Sequence, residues 1–579
     1  MSGSSGTSGT SGTSGTSSGG GAGDAPDGFT PDPRRWKALG VLALGLSLIV
    51  LDGTIVNVSL PVIIADLHLD FSEAQWVNSV YSVVFAALLI TCGRLGDRFG
   101  RRLLFVTGVL VFAAGSVLAA AAGSAGPLIA GRVVQGLGGA CVLPATLSAV
   151  NTLFRGRERT IAFAVWGSVI SGMAALGPLL GGWLTTEFTW PWIFLVNLPI
   201  AALVLAGTAA FVPETRDPHP GTGTDLPGVL LSATGFGVLV FALVEGQTYG
   251  WWKPLQPLHF AGLTWPADAP VSPIPVLLGL GVLLLAAFVA HEFRRARDGR
   301  PAILELALFR HPSFRWGNLA ALLVALGEFG LLFVLPLYLV NVLDLSTLIA
   351  GVVLAVMALG AFLAGGITEK LAQTMAPAGI VRLGLALEAG FVALTAVFVR
   401  ADTSPWLLAV LLAGYGLGLG FASAQLTGTV LADVPPERSG QGSAVQSTAR
   451  QIGSALGAAL IGGLLSMLLA HTLPDRVEEV PGVDPQAAAQ AADATRASAG
   501  SAIDTIRAQG ETGPLGAQGP AVVDALDEGF AAATRTTMFA AAGFLVLGLL
   551  AATRIPRTAP ARQPKGGATA AEPADATIR

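Results

Sequence analysis

The sequence predicts an all-α polytopic membrane protein with fourteen transmembrane helices, and three observations carry that expectation. Of the 579 residues, 52% are hydrophobic and only 12% are charged, against about 25% charged in a soluble domain. The apolar residues fall in long blocks with Gly and Pro inside them. A bilayer core about 30 Å thick needs about 20 such residues per helix and tolerates both residue types there. Basic residues, finally, gather in alternate connections between the blocks, which is how spans are oriented.

The elements follow in order. Residues 1–35, opening MSGSSGTSGTSGTSGTSSGGG, contain almost nothing that can form a core and read as a flexible Gly/Ser/Thr-rich tail. The tail lacks the basic stretch and apolar run of a signal peptide, so insertion is expected to use the first span itself. Spans are expected near 38–62, 75–94, 103–122, 126–150, 160–184, 191–212 and 226–246. The remaining seven are expected near 273–292, 315–340, 347–371, 379–399, 405–430, 441–470 and 535–553. With the N-terminus cytoplasmic, 25 of the 33 basic residues lie inside, six lie outside, and Arg132 and Arg450 fall within spans. Both termini are therefore expected in the cytoplasm.

One external connection, 472–533, is too long for a tight turn and carries ten acidic residues against three basic ones. Within it, DPQAAAQAADATRASAGSAIDTIRAQ reads as a weak amphipathic helix. It is either a solvated spacer or a cap over the external mouth. The net charge of −4 says little about partners, because charge here is sorted by side of the membrane. Cys92 and Cys141 are the only cysteines and both lie in apolar segments, suggesting neither a disulfide framework nor a zinc site. The six histidines show no ligand spacing. No G-x-x-x-x-G-K-[ST] phosphate loop, nucleophile elbow or metal cluster is present, so neither an enzyme nor an ATP-driven device is expected.

Several short stretches carry more specific chemistry. GRLGDRFGRR, Gly93–Arg102, links the second and third spans. Its glycines allow close helix approach, and Asp97 is placed to cap the following helix and pair with arginine. Four arginines at a membrane edge also serve simply as topology signals. RVVQGLGGA, Arg132–Ala140, puts a charge inside the fourth span, a costly placement that marks a functional residue by default; the alternative is an arginine that only locks helices together. GMAALGPLLGG, Gly172–Gly182, offers small surfaces for packing and a bend at Pro178.

Together these stretches resemble the major facilitator superfamily. Gly93, Asp97, Arg98, Gly100 and Arg101 match its signature loop, a conformational latch. Gly365 with Glu369-Lys370 echoes that loop after the tenth span in degenerate form. Arg132 and Gln135 match the motif R-x-x-Q-G-x-G, whose arginine is associated with proton transfer. Gly172, Gly177, Pro178, Gly181 and Gly182 match the motif typical of exporters. LDGTIVNVSLP, Leu51–Pro61, and WPWIFLVNLPI, Trp190–Ile200, are similar to signatures of the fourteen-helix drug:proton antiporter branch, as is ILELALFRHPSF before the ninth span. Ser59 and Pro191 depart from the usual Ala and Arg, and Val340 stands where relatives often carry Gln. The resemblance covers about 36–470 and 535–553.

It implies a six-helix half at 36–212, two extra linking helices at 226–292, and a second half at 315–553 interrupted by the external segment. A cytoplasmic tail follows at 554–579. It also implies a bacterial cytoplasmic membrane protein with a small-molecule substrate, protons and lipid as partners. No cofactor, metal or nucleic acid is expected, and a monomer is compatible with it.

Depth arithmetic supplies an independent argument. At 1.5 Å per residue, Asp52 lies ten residues from the outer end of its span, about 15 Å deep. Arg132, six residues in from the same side, lies about 9 Å deep, so the two are within reach of meeting. Ion pairing and desolvation act on such a carboxyl in opposite senses, as a group that loads and releases a proton requires. A purely structural ion pair is the other reading. Glu328, thirteen residues into the ninth span, lies about 20 Å along it and is the second proton-coupling residue expected. Asn57, Gln135, Glu388, Gln425 and Arg450 are expected to line the substrate cavity or to bond helices together. The function expected is proton-coupled export of amphipathic organic molecules. An importer or facilitated carrier of a small metabolite, or a receptor that transports nothing, are the alternatives.

Overall fold

A computed structural model describes residues 32–154, 156–214, 225–260, 263–300, 306–434 and 439–556. Most of the expected N-terminal tail, and the C-terminal tail beyond 556, lie outside the described residues. The first group of helices runs α1 (Arg35–Leu67), α2 (Phe71–Phe99), α3 (Arg101–Ala120), α4 (Ala125–Leu153) and α5 (Gly156–Glu187), then the short α6 (Trp192–Leu195) and α7 (Asn197–Phe211). Two linking helices follow, α8 (Leu226–Val244) and α10 (Pro273–Arg297). Between them lie the turn α9 (Gly246–Tyr249) and a small antiparallel hairpin of β1 (Leu258–Phe260) and β2 (Leu263–Trp265). The second group is α11 (Pro312–Leu337), α12 (Thr347–Leu371), α13 (Pro377–Phe398), α14 (Pro405–Val430), α15 (Ser439–Glu478) and α18 (Gly519–Thr553), with α16 (Pro485–Ala497) and α17 (Ala502–Gln509) between the last two.

Local sequence explains the boundaries. Proline sits in the first two positions of α8, α10, α11, α13, α14, α16 and α18, where its missing N–H leaves nothing unsatisfied. At α2, Asp70 accepts from the Glu73 N–H at 2.7 Å while Glu73 accepts from the Asp70 N–H at 2.9 Å, a reciprocal cap. The latch stretch is helical almost throughout. Helix α2 runs to Phe99, and Gly100 alone, at φ +115°, makes the corner into α3. The cap position of α3 is thus Gly100 and not Asp97, which lies inside α2. Glu214 supplies the charge there, accepting from the Arg102 N–H at 3.2 Å, an anion at a helix N-terminus.

Among the described residues, twelve helices are long and apolar enough to cross a membrane. The second and fifth expected spans coincide with α2 and α5, helices of 29 and 32 residues that stand outside that set of twelve. Helices α1–α7 pack among themselves around a core that includes Leu42, Phe85, Phe105 and Phe112. Helices α11–α15 and α18 pack likewise, and the two groups meet along α5–α12 and α2–α15. Helix α8 lies against both α2 and α15, with Trp76 donating to Glu245 at 2.8 Å, and α10 packs outside it. The linking pair therefore covers the α2–α15 seam.

The connection expected at 472–533 is shorter and more ordered than hydropathy suggested. Helix α15 continues to Glu478 and α18 begins at Gly519, because a helix that gains packing partners extends past its apolar stretch. The single amphipathic helix expected at 484–509 is two helices, broken where Ala499 and Gly500 take φ +52° and +102°. Ala488, Ala491, Ala492, Thr495 and Ile503 are buried, so the segment is docked and not a solvated spacer. Asn341, in the π-helical turn Tyr338–Val342 that ends α11, donates to the Ala499 carbonyl at 3.0 Å. Arg507 bonds both oxygens of Asp527 at 3.0 and 3.1 Å and Asp504 at 2.6 Å.

Burial pushes the Asp504 carboxyl from 3.8 up to about 6, against the opposing pull of Arg507 and with the charge of Asp344 adding to the rise. The docked segment therefore keeps a proton that the undocked segment has lost. Docking is strongest below pH 3.8 and weakens as pH rises through about 6. Amide exchange of residues 502–509, corrected for its intrinsic pH dependence, is expected to speed up across that window. Asp504→Asn is expected to lessen the response, and an unchanged response in that variant would refute the assignment.

Candidate functional site

The first polar centre lies inside the α1–α7 group. Asp52 on α1 is 0% exposed. One carboxylate oxygen accepts from Arg132 Nη1 at 2.5 Å. The other accepts from Gln135 Nε2 at 2.7 Å and from Asn197 Nδ2 at 2.8 Å. Spacing on α4 makes this possible, since Arg132 and Gln135 are three residues apart and share a helix face. Arg132 is satisfied in turn, donating from Nε to the Val77 carbonyl at 3.2 Å and from Nη1 to Gln135 Oε1 at 2.9 Å. Its guanidinium lies 4.6 Å from the centre of the Tyr81 ring, in reach of a cation–π attraction. Ser116 closes the network from α3, accepting from Gln135 at 2.9 Å and Asn197 at 3.2 Å. Charge-assisted bonds in a dry interior reinforce one another.

The second centre lies in the other helix group and is built differently. Glu328 on α11 is buried, with Arg450 of α15 at 3.6 Å from its Oε2, an ion-pair distance longer than a hydrogen bond. Glu388 on α13 and Tyr415 on α14 are each 0% exposed, and the charges of Glu328 and Arg450 act on both. Among the described residues, both Glu388 carboxyl oxygens, the Tyr415 hydroxyl and Glu328 Oε2 have no hydrogen-bond partner. Leaving such atoms unmade in a low-dielectric interior is costly. Here the unused capacity sits on the carboxyl groups, whereas in the first centre both Asp52 oxygens are bonded and it is Asn197 Oδ1 and the Tyr81 hydroxyl that lack partners among the described residues.

The motif residues fall at helix contacts. Gly177 and Gly181 lie against Thr54 and Ile55 of α1, so close that a Cβ at either position would overlap them. Gly182 meets the Thr347 carbonyl of α12, and Gly351 of α12 meets the Pro178 carbonyl of α5. Thr186 and Thr347 sit with hydroxyl oxygens 3.2 Å apart. The small-residue motif thus brings α5 into backbone contact with α1 and α12 at once. Along the other seam, the Ser82 and Ser454 hydroxyls are 3.1 Å apart. In the latch, Arg101 donates to the Ser148 carbonyl at 3.2 Å and to Thr152, tying the start of α3 to the end of α4. The side chains of Arg94, Asp97, Arg98 and the surroundings of Gly172 lie outside those described.

Of the expected site residues, the structure brings Asp52, Arg132 and Gln135 into one centre and Glu328, Glu388 and Arg450 into the other. Asn57 bonds back to the Gly53 carbonyl of its own helix at 3.1 Å, and Gln425 is half-buried on α14; neither joins a centre among the described residues. Sequence reading missed Asn197, Ser116, Tyr81 and Tyr415. Asn197 carried a signal, a lone amide inside the apolar WPWIFLVNLPI. Tyr81 and Tyr415 carried a weaker one as two of only four tyrosines. Ser116 carried none, because a serine among alanines is ordinary in a membrane helix.

Residues 42–458 match the family model described as Major Facilitator Superfamily. The chain is 36% identical over 451 residues to the puromycin resistance protein pur8 of Streptomyces alboniger, covering 77% of this chain and 84% of that one. It is 33% identical over 496 residues to the multidrug efflux pump LfrA of Mycolicibacterium smegmatis, covering 83% of this chain and 92% of that one. In fold it is similar to an inward-facing bacterial homolog of the human lysosomal transporter Spinster, with a TM-score of 0.59 and 19% identity. That match covers 91% of this chain and 98% of the other. With the helical architecture, the motif contacts and this family match in agreement, the chain belongs to the major facilitator superfamily, as a multi-pass membrane protein.

Proposed function

We propose that this protein is a drug-efflux transporter that exports amphipathic organic compounds in exchange for protons by alternating access. The observation that carries the reading is the pair of buried carboxyls, each facing an arginine, Asp52 with Arg132 and Glu328 with the half-buried Arg450, one in each helix group. A membrane-buried carboxyl is expensive and is maintained where a proton must be carried. Both centres lie on the opening helices of their groups, α1 and α11, which pack on each other. Relatives named for resistance to puromycin and for multidrug efflux support the substrate class and the export direction.

In this reading all fourteen helical segments cross the cytoplasmic membrane, including α2 and α5, and both termini are cytoplasmic, a placement the arginine distribution supports. The α5–α12 contact around Gly182 and Thr347 is then an outer seam, and the corner at Gly100 is an inner one. The Asp52 centre holds the proton-coupling site. The open valences of Glu388, Tyr415 and Glu328 offer hydrogen bonds to a substrate or a proton. A proton gradient supplies the energy, about 2.3 kcal/mol per charge for each 100 mV.

The test uses purified protein in liposomes of known orientation, with a panel of cationic and neutral amphipathic compounds. An imposed pH gradient is expected to drive compounds out of the cytoplasmic-equivalent side several-fold faster than dissipation by an uncoupler allows. Uptake in the opposite direction would support the importer reading, and binding without flux would remove transport altogether.

A further inference from the structure

The chain has two cysteines in 579 residues, and they stand 49 positions apart in sequence. They nevertheless meet. Cys92 Sγ on α2 and Cys141 Sγ on α4 are 3.4 Å apart, sulfur in contact with sulfur, and both are free thiols. The proximity is built by the backbone on either side. Gly139, two residues before Cys141, admits the Phe85 ring of α2 into the space a side chain would occupy. Gly93, the residue after Cys92, faces Pro144 of α4 at ordinary contact distance. Two parallel helices held this closely leave the sulfurs little freedom to part. Their environments differ: Cys92 is buried at 6% exposure, whereas Cys141 is partly exposed.

We propose that Cys92 and Cys141 form a reversible disulfide, a redox modification site that staples α2 to α4 beside the latch. The oxidant is hydrogen peroxide. The more exposed Cys141 sulfur attacks one peroxide oxygen, the O–O bond breaks, and a sulfenic acid and one water result. The Cys92 sulfur, already in contact, displaces the hydroxyl from Cys141, forming the S–S bond and releasing a second water. Two thiols lose two electrons and two protons, and the peroxide is reduced to two waters. A dithiol or phosphine reverses the step. A partly exposed thiol in contact with a resolving thiol is the arrangement that redox-responsive pairs use. Placement gives the bond a consequence, because Cys92 directly precedes the latch residue Gly93, and α4 already holds the start of α3 through Arg101.

The experiment uses the full-length protein in lipid nanodiscs, reduced with a phosphine and then exposed to hydrogen peroxide. After denaturation and maleimide labelling, incorporation is expected to fall from two labels to none. The intact mass is expected to drop by two hydrogens, and both labels are expected to return on renewed reduction. Two labels surviving peroxide would overturn the proposal. So would oxygen adducts on separate cysteines, or disulfide-linked dimers on a non-reducing gel.

Discussion

Asp52→Asn is expected to reduce pH-driven efflux by about tenfold or more, a loss of at least about 1.4 kcal/mol in the coupled step, while protein remains in the membrane. The carboxylate is the acceptor for three side chains at once, from Arg132, Gln135 and Asn197. An amide keeps the shape but removes the titratable group. It also leaves Arg132, 1% exposed, with its charge uncompensated, and breaking a buried pair in this way costs about 3–5 kcal/mol. Two effects are therefore superimposed, one on stability and one on coupling, and the measurement must part them. Substrate counterflow without a pH gradient needs a folded, alternating carrier but no proton. In Asp52→Asn counterflow is expected to persist while gradient-driven efflux is lost. The double variant Asp52→Asn with Arg132→Gln removes the orphan charge, so thermal stability should recover without coupling, a departure from additivity expected of contacting residues. Equal loss of counterflow and driven efflux in the double variant would assign the pair a structural role only.

The second large effect is expected at Gly182. Its α-carbon lies so close to the Thr347 carbonyl of α12 that no side chain fits without displacing a backbone. Overpacking a tight contact costs about 1–3 kcal/mol, and in a carrier the strain is relieved simply by leaving the closed state. Gly182→Leu is thus expected to hold the outer seam open and to cut efflux about tenfold. A cysteine placed at Thr347, 7% exposed in the closed seam, reads this directly in a background of Cys92→Ser and Cys141→Ser. Labelling by an impermeant maleimide from outside should rise several-fold in Gly182→Leu. Full efflux together with unchanged labelling would show that α5 and α12 do not form a gate. Gly53 has no such neighbour, so Gly53→Ala is expected to leave both readouts near their starting values.

Some of this site was readable one residue at a time. Asp52, Arg132 and Glu328 stand out because a charge in an apolar run is conspicuous in any window, and the rise per residue turns position into depth. Depth put Asp52 and Arg132 within reach of meeting, and the structure pairs them. The partner of Glu328 was not legible in this way, since Arg450 enters from a helix more than 100 residues away whose rotation nothing local records. The cap of α3 was misplaced for a related reason. Asp97 has the right chemistry, but α2 keeps its helical hydrogen bonds until Gly100, and the charge at that helix end arrives from Glu214.

The helical segments, the arginine-rich connections, the small-residue stretches and the ionisable groups set within apolar runs were all legible in the chain. These are properties of local composition and of a fixed rise per residue. Packing alone settled that Gln135 and Asn197 join Arg132 on the Asp52 carboxylate, while the buried Glu388 carboxyl and Tyr415 hydroxyl lack hydrogen-bond partners among the described residues. It also decided that the α15–α18 connection folds onto its own helix group, and that the two cysteines touch. Those outcomes depend on how far each helix is rotated and how closely its neighbours approach. Rotation and approach are set by packing among distant segments, which no stretch of chain encodes alone.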